Sequence, residues 1–171
     1  MPVLRIIYEK KLVAKFISAN YIGKIFERSL RRLGIDLVFS QGFNRRVRMS
    51  FGPPLAVGIA GKNEMIDVYA KNTNFSCQLI KKKLNEILPR GLEIVDCQYF
   101  QGSKKAPAVS KAIYLVKIPE GKKFVLPQSW KIVTLIDETM EIEIPLEKFK
   151  HKDLFDIFGP SGVIERFLIF Q

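Results

Sequence analysis

Ser18-Ala19-Asn20-Tyr21-Ile22-Gly23-Lys24-Ile25-Phe26-Glu27-Arg28-Ser29-Leu30-Arg31-Arg32-Leu33-Gly34 reads as one amphipathic helix with two different faces. Ile22, Ile25, Phe26, Leu30 and Leu33 fall at the spacing of a single helical stripe, and Gly34 follows as a stop. Lys24, Arg28, Arg31 and Arg32 occupy the opposite face, so their side chains project together away from the core.

Working outward, Val3–Tyr8 is β-rich and starts a strand that a second short apolar stretch, Leu12–Ile17, continues. After the helix, Ser40-Gln41-Gly42-Phe43-Asn44 reads as a loop in which Gly42 and Asn44 tolerate left-handed angles. Arg45–Phe51 then alternates as a half-exposed strand until Gly52-Pro53-Pro54 breaks it. A strand over Met65–Ala70, a helix capped by Asn74 and packed through Cys77, Ile80, Leu84 and Ile87, and a strand over Leu92–Phe100 follow. The order β-α-β-β-α-β predicts an α+β fold whose N-terminal half, residues 1–101, is ferredoxin-like. A linker is expected at about 102–109, where Gly, Pro and charge replace apolar periodicity. Residues 110–171 predict strands over Ala112–Ile118, Lys131–Ile136, Met140–Pro145 and Val163–Phe170 and a helix over Lys148–Phe158. This is a degenerate second ferredoxin-like half, its first helix missing or reduced to a turn near Val125–Ser129.

Formal charge is +11 over 171 residues, and its placement is uneven. Residues 1–60 carry eleven Lys/Arg against three acids, residues 61–110 eight against five, and residues 111–171 nine against nine. Such one-sided charge attracts phosphate polymers or anionic lipid. Two cysteines, Cys77 and Cys97, and one histidine, His151, are too few for a zinc or iron–sulfur site, so no metal and no cofactor is expected. The cysteines are expected in the interior and His151 on a solvated surface. No export leader and no apolar run of membrane-spanning length stands out, which makes the cytoplasm the expected location.

The candidate nucleic-acid-binding set is Lys24, Arg28, Arg31, Arg32, Gln41, Phe43, Asn44, Arg45, Arg46 and Arg48. Arginine forks grip phosphate bidentately, and an aromatic with neighbouring amides stacks on and reads unpaired bases, a mixture suited to single-stranded or looped RNA. A solvated basic surface is the plainer alternative for the charges, and a core plug the plainer one for Phe43. Lys81-Lys82-Lys83 reads as a solvated run and Gly52-Pro53-Pro54 as turn chemistry. Glu64 and Asp67 face opposite sides of a strand, which suits ion pairs capping the basic patch better than acid–base catalysis. No nucleophile elbow, P-loop, dinucleotide fingerprint or HExxH motif is present, and no catalytic residue is assigned.

Glu27–Arg32, Ser40–Asn44, Ser50–Gly58, Glu64, Asp67 and Leu84–Gly91 together resemble the bacterial family of radical-SAM-linked proteins. The resemblance covers residues 1 to about 100. It implies a companion of, or fusion to, a radical SAM enzyme, hence a recognition module for a partner's chemistry. Where that family usually has Ser-His-Leu-Asp this chain has Ser18-Ala19-Asn20-Tyr21, and Arg45 stands where the family has Pro. The first change removes a polar pair and the second adds charge, so both favour binding over catalysis. The expected function is an RNA-binding adaptor without catalysis of its own. The alternatives are a protein-interaction subunit of a radical SAM enzyme and, last, a metal-independent ribonuclease with His151 as its general base.

Overall fold

Alternating burial along the first strand, β1 (Pro2–Lys10), turns Leu4, Ile6 and Tyr8 to one face of a sheet and Arg5 and Ile7 to the other. The computed structural model describes residues 1–101, 108–118, 120–121, 123–147 and 149–170. The stretch after β1, expected to prolong the strand, is instead a 3₁₀ turn over Leu12–Phe16. Two lysines and a left-handed Leu12 (φ 51°) end the extended run there.

The helix α1 (Ala19–Arg32) begins where Ser18 Oγ accepts from the Tyr21 amide at 3.4 Å. Ile22, Phe26 and Leu30 are buried against β1, with the Phe26 ring 5.0 Å from that of Tyr8. Each such burial contributes roughly 1.5–3 kcal/mol. The strand expected over 45–51 shortens to β2 (Met49–Phe51), because Val47 pairs back with Phe39 instead. β3 (Ala60–Tyr69), α2 (Cys77–Ile87) and β4 (Leu92–Gln101) complete the first half. The α2 cap is Ser76, whose Oγ accepts from Leu79 N at 3.2 Å, so the assignment of Asn74 as cap is two residues early.

The second half consists of β5 (Val109–Lys117), β6 (Lys131–Ile136), β7 (Thr139–Pro145), α3 (His151–Phe158) and β8 (Val163–Phe170). Among the described residues between β5 and β6 there is no helix, only turns at 120–121 and 128–129. Of the expected linker, residues 102–107 lie outside the described residues and Val109 already belongs to β5.

The eight strands among the described residues join one mixed sheet in the order β4-β1-β3-β8-β5-β7-β6, with β2 on β3. In each half the first strand pairs antiparallel with the third and fourth, and the second with the third. β3 joins the halves because β1 covers one of its edges almost end to end while β2 covers only three residues of the other. Its start, Ala60–Lys62, pairs in parallel with Glu165–Phe167 of β8, and its end, Ile66–Val68, pairs with β2. Glu64 lies between the two stretches. Two apolar clusters flank this seam, and Leu55, Ala56 and Ile59 of the connection into β3 pack into the second one.

Gly91, before β4, has φ +94°, and a Cβ there would collide with the Lys11 carbonyl and Ala14. Its own carbonyl accepts from Lys11 N at 2.8 Å. Gly91→Ala is expected to cost about 2–4 kcal/mol, read as a lowered urea midpoint at unchanged slope.

Candidate nucleic-acid interface and a buried ion-pair junction

Residues 38–48 fold as an irregular hairpin leaning on the end of β3. Val38 N donates to Tyr69 O at 2.9 Å, Tyr69 N to Arg48 O at 3.1 Å and Arg48 N to Val38 O at 2.8 Å. Nearer the tip, Ser40 N donates to Arg46 O at 2.8 Å and Arg46 N to Ser40 Oγ at 3.1 Å. Beyond this clasp Gln41, Gly42, Phe43, Asn44 and Arg45 are all exposed, with Gly42 at φ +115° turning the chain. Phe43 reaches 108% relative exposure, so it plugs no core.

The hairpin stands against the basic face of α1. Lys24, Glu27, Arg28 and Arg31 from the helix and Arg46 from the hairpin line an open groove of about 330 Å³. Glu27 ties the two elements together, accepting from Arg31 Nη2 at 2.8 Å and lying 3.8 Å from Arg46 Nη1. The Arg31 guanidinium sits 5.0 Å from the centre of the Phe39 ring and that of Arg48 4.3 Å from Tyr69. Aromatic support of this kind fixes an arginine without neutralising it. Arg32, Arg45 and Arg48 are exposed but outside the groove, as are Gln41, Phe43 and Asn44. Seven exposed cations thus share one region with a single interleaved acid. Lys24, Arg28, Arg32 and Arg45 make no ion pair with any described residue.

A second polar cluster lies at the β3–β8 seam, centred on Arg166, to which the sequence alone gives no role. Arg166 is wholly buried, at 0% exposure. Its Nε and Nη2 donate to the two Glu64 oxygens at 3.0 and 2.6 Å, and Nη1 and Nη2 to the carbonyls of Pro54 and Pro53 at 2.8 and 2.9 Å. Burial pushes the Glu64 carboxyl above its usual range, against the pull of Arg166 and Lys10. Burial by itself lowers Arg166, but the Glu64 carboxylate more than offsets this. A guanidinium keeps its proton at any pH where proteins fold, so the fork stands as an ion pair. The Glu64 and Asp67 ion pairs expected at the basic patch are therefore elsewhere: Glu64 serves Arg166, and Asp67 takes Arg5 at 2.7 and 2.8 Å on the opposite sheet face. Gly52-Pro53-Pro54 is likewise more than a turn, since its carbonyls complete the guanidinium shell. No one-sequence signal linked Arg166 to Glu64, 102 residues apart.

His151 also departs from expectation. Its Nε2 lies 3.3 Å from Tyr114 Oη, and the rings of Phe149, Phe155 and Tyr114 surround it, so it is half-buried rather than a solvated surface group. Burial, helped by the charge of Arg166, lowers its pKa from 6.5 to about 4. The unfolded ring gains its proton at higher pH than the folded one, so this stability is complete above about 6.5 and is lost as pH falls toward 4. With the ring partly open to solvent, the loss is expected at about 1 kcal/mol by pH 5, and His151→Phe should remove it in paired urea titrations. Cys97 is buried and Cys77 half-buried; burial raises the Cys97 thiol, and its Sγ lies 3.2 Å from the Cys77 carbonyl. No group of His, Cys, Asp and Glu suited to a metal ion occurs among the described residues. No described helix is long and apolar enough to cross a membrane.

Fold and surface together define a mixed α+β protein with one eight-stranded sheet among the described residues, three helices and a basic groove on its first half. The chain belongs to the family described as uncharacterized protein conserved in bacteria (DUF2344), whose family model matches residues 4–158 and so continues well into the second half. No curated protein matches it.

Proposed function

We propose that this protein is an RNA-binding adaptor without catalysis of its own, which presents RNA to a radical SAM partner enzyme. One observation carries the reading: a helix face and a hairpin place four exposed cations, Lys24, Arg28, Arg31 and Arg46, around one groove, with Arg32, Arg45 and Arg48 exposed on the same two segments and a fully exposed Phe43 between exposed amides at the tip. The cations supply phosphate contacts, and a π-face at the tip offers an unpaired base a stacking platform. Two ferredoxin-like domains, 1–101 and 110–171, are the scaffold in this reading. The repeated neighbour order of the strands supports it, although such folds host many functions.

The test is fluorescence anisotropy of labelled looped RNA, single-stranded RNA and duplex DNA. Preference for the RNA ligands supports the adaptor; equal, weak binding to all three sinks it. One observation favours a second reading, a protein-interaction subunit of a radical SAM enzyme. β6 is an edge strand on which Ile132, Val133, Leu135 and Ile136 are all more than half exposed. Co-purification of such an enzyme free of nucleic acid would favour it. The ribonuclease alternative loses ground, since His151, enclosed and shifted to about 4, makes a poor general base.

A further inference from the structure

Lys10 is 2% exposed, yet it makes no hydrogen bond or ion pair with any described residue. Its nearest acidic neighbour in electrostatic terms, Glu64, already gives both oxygens to Arg166. The cluster therefore sets two basic side chains against one carboxylate, a positive excess that solvent only partly reaches. Tyr8 does not offset it, because burial raises its phenol far above neutral pH. A buried charge without a partner is costly, and proteins ordinarily pair it or give it a ligand.

Lys10 also lines a cleft. Tyr8, Gly52, Pro53, Pro54 and Glu64 border the same space, and Ala19, the first residue of α1, closes one side. The free volume is about 30 Å³. That is room for roughly two waters, or for the head of one small ionic group. The amides of Ala19 and Asn20 precede the first intrahelical bonds, which start at Tyr21 and Ile22. The positive end of a 14-residue helix and an unpaired buried lysine thus meet at one cavity.

We propose that this cleft is a binding site for a small oxyanion group, a carboxylate or a phosphate, held by Lys10 Nζ and the first turn of α1. The anion neutralises the excess charge of the cluster, and Glu64, locked to Arg166, keeps the wall rigid. This site is separate from the basic groove and does not rest on the RNA reading.

The experiment is a titration of the isotopically labelled protein with acetate and, separately, inorganic phosphate, followed by amide and lysine side-chain NMR shifts. Saturable shifts centred on Lys10, Ala19, Asn20 and Gly52 are expected with at least one anion, and the better binder identifies the ligand class. Lys10→Met should weaken that binding roughly ten- to hundredfold, the worth of a charge-assisted contact. Should that variant fail to fold, Ala19→Glu supplies an internal carboxylate at the cleft and should likewise abolish saturation. Shifts confined to Lys24, Arg28 and Arg46, no saturable shift with either anion, or binding that both substitutions leave intact would each overturn the site.

Discussion

Replacing Arg166 by methionine is expected to destabilise the protein by about 3–5 kcal/mol, because it strands the Glu64 carboxylate in the sheet seam. The guanidinium makes four hydrogen bonds, two to Glu64 and two to the Pro53 and Pro54 carbonyls, and methionine replaces none of them. Lys10 is near enough to stabilise part of the orphaned charge, which sets the lower end of the range. Pairing Arg166→Met with Glu64→Leu removes both charges and should recover most of the loss. Urea titration of the two single variants and the double variant measures the coupling directly. A single-variant loss below about 1 kcal/mol would mean that the pair is solvated, not buried.

The combined change Arg31/Arg32/Arg45/Arg46→Ala is expected to have the largest effect on binding. Each phosphate contact to a single strand contributes about −0.7 to the slope of log affinity against log salt, so losing four takes about 2.8 off the slope. At low salt the affinity should fall by roughly two to three orders of magnitude, and the gap should close as salt rises. The four side chains are exposed, but Glu27 loses both its partners, so a modest fall in melting temperature is expected alongside the loss of binding. A variant that binds RNA as wild type does, with the same salt slope, would leave the basic surface without a role.

Much of this fold is legible in the residues because its signals are local. The helix over Ser18–Leu33 is recovered almost to its ends, since five apolar residues and a terminal glycine specify it without outside help. The strands Lys131–Ile136 and Val163–Phe170 match end to end for the same reason. The 3₁₀ turn at Leu12–Phe16 is not legible, because five apolar or mixed residues satisfy either conformation and tertiary contacts decide. The early strand over Arg45–Phe51 fails where Val47 takes Phe39 as partner, a pairing that depends on the hairpin and not on alternation. Of the candidate site, the convergence of Arg46 on the helix face follows from motifs close in sequence. The Arg166–Glu64 fork does not: it requires β3 to pair with β8, and a lone arginine in an apolar strand carries no mark of its distant partner. His151 misleads in the opposite direction. Its charged neighbours suggest solvent, while the rings that enclose it come from Phe149 and Phe155 nearby and Tyr114 on β5.

In the proposed RNA-binding reading a single RNA strand lies between α1 and the hairpin tip. Photo-crosslinking of a thiouridine-labelled RNA, with the linked peptide mapped by mass spectrometry, tests that placement most directly. Crosslinks are expected within Gln41–Arg45, dominated by Phe43 and lost when Phe43 is replaced by alanine. Crosslinks that fall instead on the opposite sheet face, at Phe100 or Phe167, or that persist unchanged without Phe43, would contradict it.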